Sequence, residues 1–133
     1  MPHTFVIFGA SGDLTSRKLV PALYNLMRAG LLPDETKIIG FSRTKMSDSE
    51  WRASLRESTE KHAGGEPFSP EAWSVFEPII HYQPGDIEST EDFEKLQQRL
   101  SSLEEGNPTP RVYYLATAPR FYTPAVAAIG NLN

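Results

Sequence analysis

The chain has 133 residues, enough for one domain with its own core but short for a dinucleotide-dependent enzyme that also carries a substrate domain. Its 13 basic and 17 acidic residues leave a net charge of −4, which argues against a general nucleic-acid binder and against a polybasic membrane anchor. The absence of cysteine excludes a disulfide framework, a thiolate nucleophile and a zinc knuckle, and His3, His62 and His81 are too far apart for metal spacing, so they read as structural or solvated.

The first element is the β-branched and aromatic run Phe5-Val6-Ile7-Phe8, which leads directly into Gly9-Ala10-Ser11-Gly12-Asp13-Leu14. A buried strand ending in closely spaced glycines before a helical pattern is how a parallel strand hands over to a phosphate-binding turn. One glycine permits the turn, the other lets the backbone approach a pyrophosphate, and the helix N-terminus adds unpaired N–H donors. The spacing Gly9-x-x-Gly12-x-x-Thr15 differs from G-x-G-x-x-G, and the chain lacks the G-x-x-x-x-G-K-[ST] of a nucleoside-triphosphate loop. The apolar stretch after Met1 is too short for a signal peptide or a membrane span, so a soluble cytoplasmic protein without membrane association is expected.

The next helix is expected to put Leu19, Ala22, Leu23, Leu26 and Met27 on its inner face and to end at Gly30. Pro21 requires either a kink or a separate first turn over residues 13–18. A second strand follows over residues 37–42, with Ser42 and Arg43 at its end. A helix capped by Ser47 or Ser49 and anchored by Trp51 and Leu55 runs to about residue 62. Past the break at Gly64-Gly65-Glu66-Pro67, the pattern gives a short helix over 69–76, a strand over 79–83, and a helix over 92–103 with Phe93, Leu96 and Leu100 inward. A fourth strand over 111–116 and a helix over 119–129 complete the chain, with Pro124 tolerated near a helix start. Residues 106–110 read as a loop. Strands alternating with helices imply crossover connections, hence an α/β, Rossmann-like, doubly wound parallel sheet of about four strands in the order 3-2-1-4, with the ligand beyond the strands' carboxyl ends.

The stretch Gly9 to Leu19, read as G-A-S-G-D-L-T-S-R-K-L, closely resembles the opening of the glucose-6-phosphate dehydrogenase family, as do Pro21-Ala22-Leu23-Tyr24-Asn25-Leu26 and Gly30-Leu31-Leu32-Pro33. Gly40-Phe41-Ser42-Arg43-Thr44, Gly85-Asp86 and Tyr114-Leu115-Ala116-Thr117-Ala118-Pro119 resemble its later landmarks, in order and over almost the whole chain. The resemblance implies that Gly9, Ala10, Ser11, Gly12, Asp13, Leu14, Thr15 and Ser16 cradle the pyrophosphate of NADP, and that Arg43 meets the adenosine 2′-phosphate. The residue chemistry agrees, because a carboxylate at that strand end would repel a phosphate whereas an arginine fork pairs with it. Arg43 as a solvated surface charge is the alternative.

Lys18 matches a family lysine that contacts substrate phosphate or cofactor, although in isolation it reads equally as a solvated helix lysine. Asp13 fits a helix cap better than acid–base catalysis. Asp86 and Ile87 resemble the segment beside the adenine end of the cofactor, or an ordinary Gly-Asp turn. Tyr122 matches a tyrosine near the cofactor, or packs between helix and sheet. The family commonly has alanine where Thr15 stands, which would loosen helix–strand packing here, and two prolines where this chain has Ala118-Pro119.

The sequence stops at Asn133, before the family segments that carry the catalytic histidine and the main substrate-phosphate contacts. The expectation is therefore an amino-terminal coenzyme domain over residues 1–133, with no catalytic residue and no metal site of its own, from an enzyme that oxidises glucose 6-phosphate in the first step of the oxidative pentose phosphate pathway. A homo-oligomer is expected as well. An extended short-chain reductase would need a Tyr-x-x-x-Lys pair, which the chain lacks; a non-catalytic dinucleotide sensor is the other alternative.

Overall fold

The computed structural model describes residues 3–33, 35–62, 67–105, 109–117, 120 and 122–130. Four strands, β1 (Thr4–Phe8), β2 (Lys37–Ser42), β3 (Ile80–Pro84) and β4 (Arg111–Leu115), form one sheet in the order β3-β2-β1-β4. Every pairing is parallel, with Val6 opposite Ile39 and Tyr113, and Ile39 opposite His81. The order and direction are those expected from the alternating sequence pattern.

The central strands are apolar on both faces because helices cover both faces. On one side Ile7, Ile38, Ile80 and Tyr82 pack with Val20, Leu23 and Tyr24 of α1 (Val20–Arg28), Trp51 and Leu55 of α2 (Asp48–His62), and Trp73 and Phe76 of α3 (Pro70–Phe76). On the other, Val6, Phe8, Ile39 and Phe41 meet Phe93, Leu96 and Leu100 of α4 (Thr90–Leu103). There Phe8, Phe41 and Phe93 have ring centroids 5.3 to 5.9 Å apart, a geometry that adds about 0.5–1.5 kcal/mol per pair beyond burial. The last helix is α5 (Tyr122–Gly130), with Pro124 in its first turn; residues 118 and 119, where the helix was expected to begin, lie outside the described residues, as do 63–66 and 106–108.

Local signals set the helix starts. Ser47 Oγ accepts from Glu50 N–H at 3.1 Å while Ser47 N–H donates to Glu50 Oε1 at 3.0 Å, a reciprocal capping box that selects Ser47 over Ser49. Ser69 and Ser89 cap α3 and α4 through the N–H groups of Ala72 and Asp92. Helix α1 ends in a Schellman motif around Gly30, at φ +72°, with Leu31 N–H donating to Leu26 O at 2.9 Å.

The inner face of α1 agrees with the expected one in part: Leu23 is buried and Leu19 and Met27 pack partly buried on the same core, whereas Ala22 and Leu26 are exposed and Val20, Pro21 and Tyr24 are buried. Apolar residues occupy nearly every position from Val20 to Met27, so spacing alone does not select the buried side; a π-helical turn, Thr15–Leu19, lies just ahead of α1. Pro21 sits in the first turn of α1, where its fixed φ suits the helix, and its missing N–H leaves Ser16 O to a donor from α2.

The two sheet edges are finished differently. Along β3, α2 covers the outward main-chain groups: Asp48 Oδ1 accepts from Tyr82 N–H at 2.8 Å and Arg52 Nε donates to Ile80 O at 2.8 Å. Along β4, Val112 and Tyr114 are exposed, and the strand is pinned at its start by Arg111, which forms a two-pronged pair with Glu104 at 2.7 and 3.0 Å.

Candidate functional site

The carboxyl ends of the strands open into one cleft of about 340 Å³. Gly9, Ser11 and Gly12 line it from the turn after β1, Arg43 and Thr44 from the loop after β2, Gly85, Asp86 and Ile87 after β3, and Ala116, Thr117 and Arg120 after β4. This is where winding reverses between β1 and its two neighbours, the place where open parallel sheets bind ligands.

Gly9 fixes the shape of the cradle. Its N–H donates to Phe41 O at 3.0 Å, its carbonyl accepts from Gly12 N–H at 3.0 Å and from Thr15 Oγ1 at 3.1 Å, and its φ is +82°. A Cβ there would lie 2.4 Å from Ala116 O, so glycine is required by conformation and by space together. Thr15 is fully buried and its hydroxyl closes the turn.

Hydroxyl groups form the side of the cleft next to β2. Ser11 Oγ accepts from Ser42 Oγ at 3.0 Å and from Thr44 Oγ1 at 3.1 Å. Tyr82 OH donates to Thr44 O at 2.6 Å and reaches Ser42 O at 3.3 Å, tying down the backbone on both sides of Arg43. Burial pushes the Tyr82 phenol above its ordinary value, against the opposing effect of its hydrogen bond with Ser42. Arg43 and Arg120 share a hollow of about 420 Å³ with Asp86 and Glu88.

Of the residues predicted to contact a cofactor, the structure brings Gly9, Ser11, Gly12, Arg43, Asp86 and Ile87 to the cleft wall. Ala10 is buried behind it, its carbonyl accepting from Trp51 Nε1 at 3.3 Å. Asp13 does not cap the helix; its carboxylate faces Arg17 Nε at 3.8 Å, one turn on, and its carbonyl accepts from Ser16 Oγ at 3.3 Å. Leu14 and Lys18 are exposed and are not part of the cleft wall. Tyr122 is 41% exposed and also lies off the wall. Asp86 performs a turn role too, its Oδ1 accepting from Glu88 N–H at 2.9 Å. Sequence reasoning assigned no site role to Thr44, which closes the landmark Gly40-Phe41-Ser42-Arg43-Thr44, and missed Arg120 and the supporting Tyr82, which lie outside the motifs.

The donor set fits a dinucleotide: a glycine turn bare of side chains, a helix starting at Asp13, serine and threonine hydroxyls, and arginines at the β2 and β4 ends. The family model described as glucose-6-phosphate dehydrogenase, NAD binding domain, matches residues 6–133. The chain belongs to that family. It is 41% identical over 139 residues to glucose-6-phosphate 1-dehydrogenase of Treponema pallidum, covering 99% of this chain and 26% of that protein. It is 39% identical over 126 residues to glucose-6-phosphate 1-dehydrogenase 6, cytoplasmic, of Arabidopsis thaliana, covering 90% of this chain and 24% of that one. A solved glucose-6-phosphate dehydrogenase in complex with its substrate glucose-6-phosphate superposes with a TM-score of 0.85 at 30% identity, over 97% of this chain and 27% of its own. The chain thus spans about a quarter of the length of the relatives it matches.

Proposed function

We propose that this glucose-6-phosphate dehydrogenase domain binds NADP and presents it for oxidation of glucose 6-phosphate to the 6-phosphogluconolactone, with the reacting sugar held by parts of the enzyme beyond these residues. When bound, the nicotinamide supplies the hydride acceptor. The residues of this chain bind and orient. Gly9 and Gly12 keep the turn bare for the pyrophosphate, Ser11 and Thr44 offer hydroxyls, and Arg43 receives the 2′-phosphate. Lys18, exposed beyond the glycine turn, contacts the phosphate of substrate or cofactor. Ala116, Thr117 and Arg120 bound the nicotinamide side. A cytoplasmic, homo-oligomeric enzyme is the accompanying proposal, in keeping with the naming of the Arabidopsis relative.

The observation that carries the choice of NADP is Arg43 at the end of β2, with serine and threonine beside it and no carboxylate at that position. An acidic residue there would hydrogen-bond a free ribose hydroxyl and repel a phosphate. The test is hydride transfer from glucose 6-phosphate, followed by nicotinamide absorbance in the dehydrogenase that carries this domain. NADP is expected to give the higher kcat/KM and Arg43→Ala to erase that preference. Turnover with NAD alone overturns the proposal.

A further inference from the structure

The turn between the glycine cradle and α1 contains a carbonyl that, in the register the chain adopts, its own helix does not satisfy. Through Thr15–Leu19 the chain runs in π-helical register, Val20 N–H donating to Thr15 O five residues back. In that register the donor for Ser16 O would be residue 21, a proline with no N–H. An α-helical register would give Ser16 O the Val20 N–H, but it would set the Pro21 ring against the carbonyl of Arg17. The Ser16 carbonyl is taken instead by a side chain from another helix: Ser58 Oγ of α2 donates to it at 2.6 Å.

Helix α2 grips this stretch at a second point. Trp51, two turns before Ser58, donates Nε1 to Ala10 O at 3.3 Å, and Leu55 between them is buried. Thr15, joined to Gly9 O, fixes the start of the π turn, and buried Pro21 fixes its end. Lys18 lies between these anchors and is exposed. One residue is about 100° of helical rotation, so the direction in which Lys18 leaves the helix depends on the π register being kept.

We infer that Ser58 is a positioning residue for Lys18: its hydroxyl stands in for the N–H that Pro21 lacks, holds the π turn, and so aims the Lys18 ammonium. The inference rests on the reading of Lys18 as a phosphate contact given above. It is tested by mutant cycles in the dehydrogenase that carries this domain, with glucose 6-phosphate and NADP as substrates.

Ser58→Ala is expected to raise KM for glucose 6-phosphate about 3- to 10-fold, the scale of one hydrogen bond, with KM for NADP changed less than about twofold. Ser58→Thr, which keeps the hydroxyl, restores the parent value. Pro21→Ala returns an N–H to Ser16 O, and in that background Ser58→Ala is expected to have almost no further effect. In a Lys18→Ala background it should again add nothing. A loss of equal size with and without Pro21→Ala overturns the role assigned to the carbonyl, and a loss of equal size with and without Lys18→Ala overturns the link to Lys18. If Lys18→Ala alone leaves both KM values unchanged, the reading of Lys18 itself fails and takes the positioning role with it. Failure of Ser58 alone leaves a normal Lys18 effect, so the two failures are distinguishable.

Discussion

Replacing the two cradle glycines by alanine separates the folding role of the turn from its binding role. At Gly9 the new methyl carbon would lie 2.4 Å from Ala116 O and 2.8 Å from Ala116 C. That carbonyl cannot retreat freely, because Ala116 N–H is bonded to Phe8 O at 2.9 Å and continues the pairing of β1 with β4. The φ of +82° adds about 1–2 kcal/mol for any residue with a Cβ, and forcing backbone apart in a packed region adds about 1–3 kcal/mol. Gly9→Ala should therefore destabilise by about 2–5 kcal/mol in all, a large part of the roughly 5–15 kcal/mol of a whole domain. At Gly12 the backbone is not left-handed and the methyl would meet only Gly9 O at 3.3 Å, so Gly12→Ala should change stability by less than about 1 kcal/mol. Its methyl still occupies the surface against which a pyrophosphate would lie, and NADP affinity should fall at least about tenfold. Urea denaturation gives the first quantity and calorimetric titration with NADP the second. A Gly9→Ala domain with the parent midpoint, or a Gly12→Ala domain with the parent affinity, would refute the reasoning.

Gly30→Ala at the end of α1 isolates the conformational part alone, since nothing lies within 4 Å of the new methyl; a loss of about 1–2 kcal/mol by denaturation is expected, and a neutral substitution would contradict the left-handed cap. Stability should fall as pH drops. Burial holds His81 below its ordinary 6.5, so protonating it in the folded state is disfavoured; burial alone would raise Asp48, but Tyr82 N–H and Arg99 outweigh it and hold the carboxyl below 3.8. The unfolded chain thus binds the proton more readily at both sites, so the urea midpoint should decline from about pH 7 downward; His81→Gln should flatten the upper part of the decline, and an unchanged profile would reject that cause. Glu104→Ala strands Arg111 in a largely buried position and should cost about 3 kcal/mol with a parallel drop in melting temperature; a loss under about 1 kcal/mol would show the pair to be ornamental. The isolated chain should self-associate through β4, where Val112 and Tyr114 are exposed and no α2 side chains cover the edge as they do at β3; light scattering that stays monomeric at high concentration would show that edge to be closed.

The strand order was legible because each β-branched run is bounded by turns and separated by a helix-length pattern, and parallel strands need such crossovers. A serine cap for α2 was legible as Ser47 or Ser49, and the reciprocal bonds with Glu50 select Ser47. The buried side of α1 was only partly legible, since apolar residues occupy nearly every position from Val20 to Met27 and periodicity alone does not choose among them. The glycine turn announced itself, but the network of Ser11, Ser42, Thr44 and Tyr82 links three segments 31 to 40 residues apart, and nothing local marks it. Arg43 could be placed from its position at a strand end, whereas Arg120 joins the cleft only through the fold.

The central claim is that this cleft is built for a 2′-phosphorylated dinucleotide. Parallel calorimetric titrations of the parent and Arg43→Ala domains with NADP and NAD test it most directly. The account predicts tighter binding of NADP by the parent, a loss of about 10- to 100-fold for NADP in Arg43→Ala, and little change for NAD, as expected for a lost set of charged hydrogen bonds. Equal affinities of the parent for the two cofactors, or an Arg43→Ala domain that keeps its preference for NADP, would contradict it.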